Sequence, residues 1–278
     1  MNKEIITITS RKNPLVIDTA ALHDKKHRDA EGLFLIEGEK LVAEAGDRAL
    51  PITRIFLSAS KSEELLGRLA PHFAADIYSD LSVVVLSDEC FCKISSEKAP
   101  QGVIATIKYL DFFKRLTIIY DEDILSLGDA RIALLFGLQD PHNLGAVIRS
   151  AVAFGTDTLI LSDDCADLYN SKTIRAAMGS LFSLRVYKVS DFASAVRSLT
   201  AIGRRVFAAE LRPGAIPLAQ ASLSRRDCVL IGNEGHGIPQ EISALCTKSV
   251  YLPISRNAES LNAAVAASIF FWEQGKTV

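Results

Sequence analysis

The sequence predicts an α/β protein of two domains, the second built around a parallel sheet. From Ile132 onward, short continuous apolar runs alternate regularly with helical patterns, as expected of strands covered on both faces by crossover helices. From about Leu33 to Tyr109 a shorter alternation reads as a small α/β unit of its own. Between them, Asp111 to Ala130 carries the weakest pattern. Its end, Asp121-Glu122-Asp123 through Gly128-Asp129, is acidic and interrupted, which places the domain junction there. The expected division is a basic arm over 1–30, a first domain over 31–110, a linker over 111–130 and a second domain over 131–278.

In the first domain the strands are read at 34–36, 52–57, 83–86 and 103–107, with helices at 39–45 and 62–70. In the second, strands are expected at 132–138, 158–161, 184–189, 206–209, 228–231 and 249–252, and helices at 144–154, 172–178, 192–201, 239–245 and 260–273.

Composition sets the outer bounds. With 278 residues, 49% hydrophobic and 23% charged, the chain has an ordinary globular balance and enough length for a core without staples. The five cysteines are odd in number and scattered. Cys90 and Cys92 have no second pair at zinc-site spacing, and the five histidines also lack ligand spacing, so no metal site is expected. No apolar run reaches eighteen residues and no targeting signal opens the chain, so a cytoplasmic protein without a membrane span is expected. The net charge of −2 requires any RNA-binding face to be local. The candidates are Arg11 and Lys12, then Lys25, Lys26, His27 and Arg28. On charge alone a solvated arm explains them equally well.

In open parallel sheets ligands bind beyond the carboxyl ends of the strands, and three loops there are unusual. After the strand from Ile132 comes Gln139-Asp140-Pro141-His142-Asn143-Leu144-Gly145, leading into Arg149. Pro141 ends the strand and Asn143 is positioned to cap a helix from Leu144. Taken singly, Asn143 reads as a plain cap and Arg149 as a surface arginine. After Cys228–Ile231 comes Gly232-Asn233-Glu234-Gly235-His236-Gly237-Ile238-Pro239, with three glycines in six residues. Such a loop lets backbone N–H groups approach a ligand, a phosphate or a cofactor alike. It matches neither common nucleotide-binding glycine pattern. After the strand ending at Leu252, Pro253 and Ile254 lead through Arg256 to Ser260-Leu261-Asn262, with Ser260 expected to open a helix of small residues. Close packing accounts for those small residues but leaves Ser260 and Asn262 unexplained.

Together and in this order, the three loops resemble the signature motifs of the SpoU (TrmH-like) RNA methyltransferases of the knotted SPOUT superfamily: Asp140 through Arg149, then Gly232-Asn233-Glu234-Gly235, then Ser260-Leu261-Asn262. The resemblance covers about Ile132 to Glu273. Phe34-Leu35-Ile36-Glu37-Gly38 and Gln101-Gly102-Val103-Ile104-Ala105 are similar to the ends of the L30e-like RNA-binding domain that often precedes that catalytic domain, and Ile8 through Pro14 fits the same arrangement. The resemblance implies an α/β fold with a trefoil-knotted C-terminal domain, S-adenosyl-L-methionine as cofactor, and a homodimer formed through the catalytic domain. It implies transfer of a methyl group to a ribose 2′-hydroxyl of RNA, with ribosomal RNA first and transfer RNA second.

By matching position, Asn143, Arg149, Ser260, Asn262 and Glu234 are the catalytic candidates. Gly232, Asn233, Glu234, Gly235, Ile254, Ser260 and Leu261 are the cofactor candidates, and Arg11, Lys12, Lys25, Lys26 and Arg28 the RNA candidates. Glu234 also reads as a capping carboxylate, and His236 and Arg256 carry no assigned role. A guanidinium gives up its proton only at great cost, so Arg149 is assigned electrostatic positioning rather than general-base work. Two other classes compete: a non-catalytic RNA-binding or ribosome-assembly factor on the same scaffold, and a nucleotide-binding enzyme that uses only the glycine loop.

Overall fold

The computed structural model describes residues 5–74, 81–119, 121–255 and 257–276, and Arg256 lies outside them. The chain divides into two compact units, Met1–Leu110 with Tyr169–Gly179, and Asp111–Leu168 with Ser180–Val278.

In the first unit five strands, β1 (Ile6–Ile8), β2 (Leu33–Glu37), β3 (Ile52–Ser58), β4 (Ser82–Leu86) and β5 (Val103–Lys108), form a mixed sheet in the order β1-β4-β3-β5-β2. Around it lie α1 (Pro14–Ala21), α2 (Lys25–Glu31), α3 (Glu39–Asp47), α4 (Ser62–Leu69) and α5 (Asp88–Ile94). The two fragments singled out in the sequence, Phe34–Gly38 and Gln101–Ala105, meet as antiparallel neighbours. Glu37 pairs with Ile104, and Gly38 N donates to Val103 O at 3.0 Å.

The stretch expected as an arm is folded into this unit. Ile6–Ile8 pairs in parallel with Val84–Leu86. Asn13 caps α1 through Leu15 N with Pro14 in the first turn, and Asp24 caps α2 through Lys26 N. The sequence pattern missed this because β1 is three residues long and its burial depends on a strand 78 positions away.

The second unit is an eight-stranded, wholly parallel sheet. Its strands are β6 (Phe113–Leu116), β7 (Ile132–Leu135), β8 (Thr158–Ser162), β9 (Arg185–Val189), β10 (Val206–Ala209), β11 (Ile216–Pro217), β12 (Cys228–Ile231) and β13 (Lys248–Tyr251). The order is β11-β13-β10-β12-β7-β8-β9-β6. Its helices are α6 (Asp121–Leu125), α7 (Pro141–Ala153), α9 (Phe192–Ala201), α10 (Gln240–Ser243) and α11 (Ala263–Gly275). Between β8 and β9 the chain contributes α8 (Ser171–Ala177) to the first unit. That excursion differs from the expected division at 131, because contacts made by Tyr169 and its neighbours decide it rather than chain order. Tyr169 stacks on Tyr109 with centroids 4.1 Å apart and accepts a hydrogen bond from Leu110 N at 2.9 Å.

The residues expected as a linker also contain structure. Phe113–Leu116 forms the edge strand beside β9, and Ile119, Ile124 and Leu127 are buried with Ile132, Leu134, Val206 and Leu230 in one apolar cluster. The buried Arg204 fastens this segment. Its guanidinium donates to the carbonyls of Gly128 (2.5 Å), Ala130 (3.0 Å) and Arg226 (3.0 Å). Arg204→Ala leaves three carbonyls without their charged donor, so a loss of about 3 kcal/mol is expected, read by urea denaturation. A midpoint equal to the wild type would show that water replaces the guanidinium without cost.

Cys90, Cys165 and Cys228 are buried, and burial pushes the Cys228 thiol up to about 12, so it behaves as a small apolar side chain. Among the described residues no helix is long and apolar enough to cross a membrane, and no group of His, Cys, Asp and Glu has the geometry of a metal site.

Candidate active site

Strands β7 and β12 are sheet neighbours where the chain order reverses, with β8 and β9 to one side and β10 and β13 to the other. The crevice of a doubly wound sheet opens at that point. The loops after β7 and β12 flank it, and the loop after β13 returns into α11, which packs on α7.

The cap of α7 is Asp140, not Asn143 as the sequence suggested. Its carboxylate accepts from His142 N (2.7 Å) and Asn143 N (2.9 Å), so the helix begins three residues earlier than expected, at Pro141. Two good caps stood close together, and Pro141 at the first helical position selects the earlier one. Asn143 is thereby released from capping. Its Nδ2 donates to Glu234 Oε1 at 2.7 Å, and its Oδ1 accepts from Asn262 Nδ2 at 2.9 Å. One residue from each of the three loops thus enters a single hydrogen-bonded chain.

Asn262 is also placed differently from the expectation. Its Oδ1 accepts from Ala264 N (2.9 Å) and Val265 N (3.3 Å), making it the cap of α11, while Ser260 stays in the preceding loop. A capping asparagine has its amide nitrogen to spare, and here that nitrogen reaches Asn143. The carboxylate of Glu234 does not cap, since α10 begins with Pro239 at its cap position and no side-chain bond there.

The glycine loop is closed on itself. Asn233 and Gly237 form an isolated antiparallel bridge, with Asn233 N to Gly237 O at 3.1 Å and Gly237 N to Asn233 O at 2.9 Å. Asn233 Oδ1 accepts from Gly235 N (2.8 Å) and His236 N (3.0 Å), while its Nδ2 donates to Gly137 O at 2.6 Å. Gly237 has φ +67°, and Gly232 needs space: a Cβ there would stand 2.6 Å from Ile238 Cγ1 and 2.7 Å from Gly237 C.

Arg149 and Ser260 are exposed and make no side-chain hydrogen bond or ion pair among the described residues. The backbone groups of Ile254, Ser260 and Leu261 likewise have no hydrogen-bond partner among them. Of the basic residues, Arg11, Lys12, Lys25 and Lys26 are exposed, and Lys25 pairs with Asp29 at 2.7 Å. Arg28 is corrected: it is only 3% exposed and its guanidinium donates to the carbonyls of Leu22 and His23, so it braces the α1–α2 turn and presents no charge to RNA.

The sequence reading passed over the loop after β10. That strand lies between β12 and β13, so its loop leaves the sheet between theirs. Arg212 there donates to Ile238 O at 2.6 Å and pairs with Glu210 at 2.7 Å, and Glu210 also accepts from Ser249 Oγ at 2.7 Å. A strand followed by Arg212-Pro213-Gly214 was the available signal.

A parallel sheet with three side chains linked across its switch point places them where open α/β sheets bind ligands. The chain belongs to the SpoU rRNA methylase family, whose model matches residues 130–272. An MRM3-like substrate-binding domain matches residues 13–105. The chain is similar to the 23S rRNA (guanosine(2553)-2′-O)-methyltransferase RlmP of Bacillus subtilis, 33% identical over 95% of this chain and 97% of that one. It is also similar to the 23S rRNA (uridine(2479)-2′-O)-methyltransferase of Streptomyces viridochromogenes, at 27% identity over 96% and 90%. Among solved structures it resembles the AdoMet-bound rRNA methyltransferase of Sinorhizobium meliloti, with a TM-score of 0.80 and 27% identity over 98% of both chains.

Proposed function

We propose that this protein transfers a methyl group from S-adenosyl-L-methionine to a ribose 2′-hydroxyl of ribosomal RNA. The observation that carries the reading is the Asn262–Asn143–Glu234 chain, which joins the three loops at the sheet's switch point. The loops suit the cofactor chemically. Exposed Ile254 offers an apolar face, and the backbone groups at 254 and 260–261, which have no partner among the described residues, a polar edge for adenine and ribose. The Glu234 carboxylate and the asparagine amide oxygens favour a cationic sulfonium and ammonium. Gly232, Asn233 and Gly235 form the turn that brings backbone to the ligand.

S-adenosyl-L-methionine supplies an electrophilic methyl on a positively charged sulfur. With it bound, in-line displacement would form the O–C bond as the C–S bond breaks, releasing the neutral thioether S-adenosylhomocysteine, with the hydroxyl proton passing to solvent. Asn143, Asn262 and Ser260 orient the reacting hydroxyl. Arg149 stabilises the oxygen as negative charge develops, while gripping the adjacent phosphate. In the first unit the exposed Arg11, Lys12, Lys25 and Lys26 hold the RNA backbone, in an L30e-like domain. The second unit is a trefoil-knotted domain of the SPOUT type and works in the cytoplasm.

The enzyme acts as a homodimer. On α11, Val265, Ile269 and Trp272 are 49%, 37% and 54% exposed and spaced to form one apolar stripe, with Trp272 against Phe154 at the end of α7. Trp272→Asp is expected to convert a dimer into a monomer in sedimentation equilibrium. A wild type that is itself monomeric at micromolar concentration would refute the assignment.

The function is tested by incubating the protein with labelled S-adenosyl-L-methionine and ribosomal or transfer RNA separately. Label in ribosomal RNA that survives alkali as an uncleaved dinucleotide is the expected result. Label confined to transfer RNA would move the substrate. No label in naked RNA or in ribosomal particles would leave the assembly-factor reading.

A further inference from the structure

We propose that Ser162, oriented by Asp164, is a positioning residue that sets the spacing between the first and second cofactor loops. This rests on the cofactor reading above and adds residues outside the three motifs. Ser162 ends β8, whose five residues are all buried, and it is itself 3% exposed. A hydroxyl in that place needs a reason, because burying it without partners is costly. It has three partners, one of them the Cys165 thiol, whose Sγ lies 3.5 Å away. Gly137 N, in the loop after β7, donates to Ser162 Oγ at 2.8 Å, and Ser162 Oγ in turn donates to Asp164 Oδ1.

Gly137 is where the first loop leaves the sheet. Phe136 N still bonds Ile231 O on β12 at 2.8 Å, whereas Gly137 turns with φ +66°. Its carbonyl accepts from Asn233 Nδ2 at 2.6 Å, and Asn233 Oδ1 receives Gly235 N and His236 N. A continuous hydrogen-bonded path therefore runs from Asp164 through Ser162 and Gly137 to the turn of the glycine loop. Both peptide groups of Gly137 are fixed, one by Ser162 and one by Asn233.

The Asp164 carboxylate also closes the space beside the turn, since its Oδ2 would stand 3.2 Å from a Cβ at Gly137. The loop after β8 is knitted to the first loop at a second point, with Ala166 N donating to Leu138 O at 2.8 Å. Without the Ser162 hydroxyl, Gly137 N–H is buried and unpaired. The turn then relaxes and Asn233 loses its fixed acceptor.

The test is calorimetric titration of S-adenosyl-L-methionine into the full-length wild type, Ser162→Ala, Ser162→Thr, Asp164→Ala, Asn233→Ala and the Ser162→Ala/Asn233→Ala double variant, with turnover measured in parallel. Ser162→Ala is expected to weaken binding by about tenfold. Its kcat at saturating cofactor should stay within about threefold of wild type, because the reacting groups lie elsewhere. Ser162→Thr, which keeps the hydroxyl, should recover most of the affinity, and exposed Asp164→Ala should show a several-fold loss without unfolding. The double variant should be less impaired than the product of the two single effects, as expected for residues on one path. Unchanged affinity in Ser162→Ala, or fully multiplicative effects in the double variant, would overturn the proposal while leaving the methyltransferase reading intact. A wild type that does not bind the cofactor would defeat both.

Discussion

Asn143→Ala is expected to reduce methyl transfer by ~10²-fold or more while leaving the fold unchanged. The side chain has two bonds to lose, to Glu234 at 2.7 Å and from Asn262 at 2.9 Å, and these are the links that hold three loops in one arrangement. Displacement of reacting groups by about an ångström is enough for a hundredfold loss. Stability should be preserved because Asp140, not Asn143, caps α7. Asp140→Ala is the complementary control. It removes the cap and costs about 1 kcal/mol of stability, with a smaller effect on turnover. If the two variants exchange these phenotypes, Asn143 is a structural cap after all. Comparing initial rates with thermal midpoints for both variants separates the cases.

Gly232→Ala is expected to weaken cofactor binding by about tenfold to a hundredfold, the range that one to three kcal/mol of overpacking produces. The backbone angle at Gly232 is no obstacle; the crowding is. A methyl group there would lie 2.6 Å from Ile238 Cγ1 and 2.7 and 2.8 Å from the carbonyl carbon and oxygen of Gly237. A side chain such as Ile238 has room to adjust, but the Gly237 backbone is held in the Asn233 bridge. The loop must therefore open. Gly235→Ala is the matched control, since the nearest atom to its Cβ is Asn233 Oδ1 at 3.6 Å. Equal affinity in the two variants would show that the tight approach at Gly232 has no part in forming the site.

Continuous apolar runs such as Thr158–Leu161 and Cys228–Ile231 predict a parallel sheet, since alternating polarity is lost when both faces are covered. The three loops after β7, β12 and β13 stood out for the same local reason: glycine, asparagine and proline where a strand stops. Local pattern failed where two signals competed or where the partner was distant. Asp140 and Asn143 both cap helices well, and only the tertiary site, with Glu234 91 positions away, gives Asn143 another use. Arg28 looked like one more cation in a basic run, yet the turn it braces buries it.

The amino-acid sequence by itself determined the α/β class with its parallel sheet and the identities of the three loops, because hydrophobic periodicity and turn chemistry are properties of neighbouring residues. The tertiary structure alone decided which of those residues touch. The Asn262–Asn143–Glu234 chain spans 119 positions, Ser162 meets Gly137 across two strands, and Tyr169–Gly179 joins the first unit rather than the second. Hydrogen bonds and packing act through space, and chain connectivity fixes only which groups are close along the sequence.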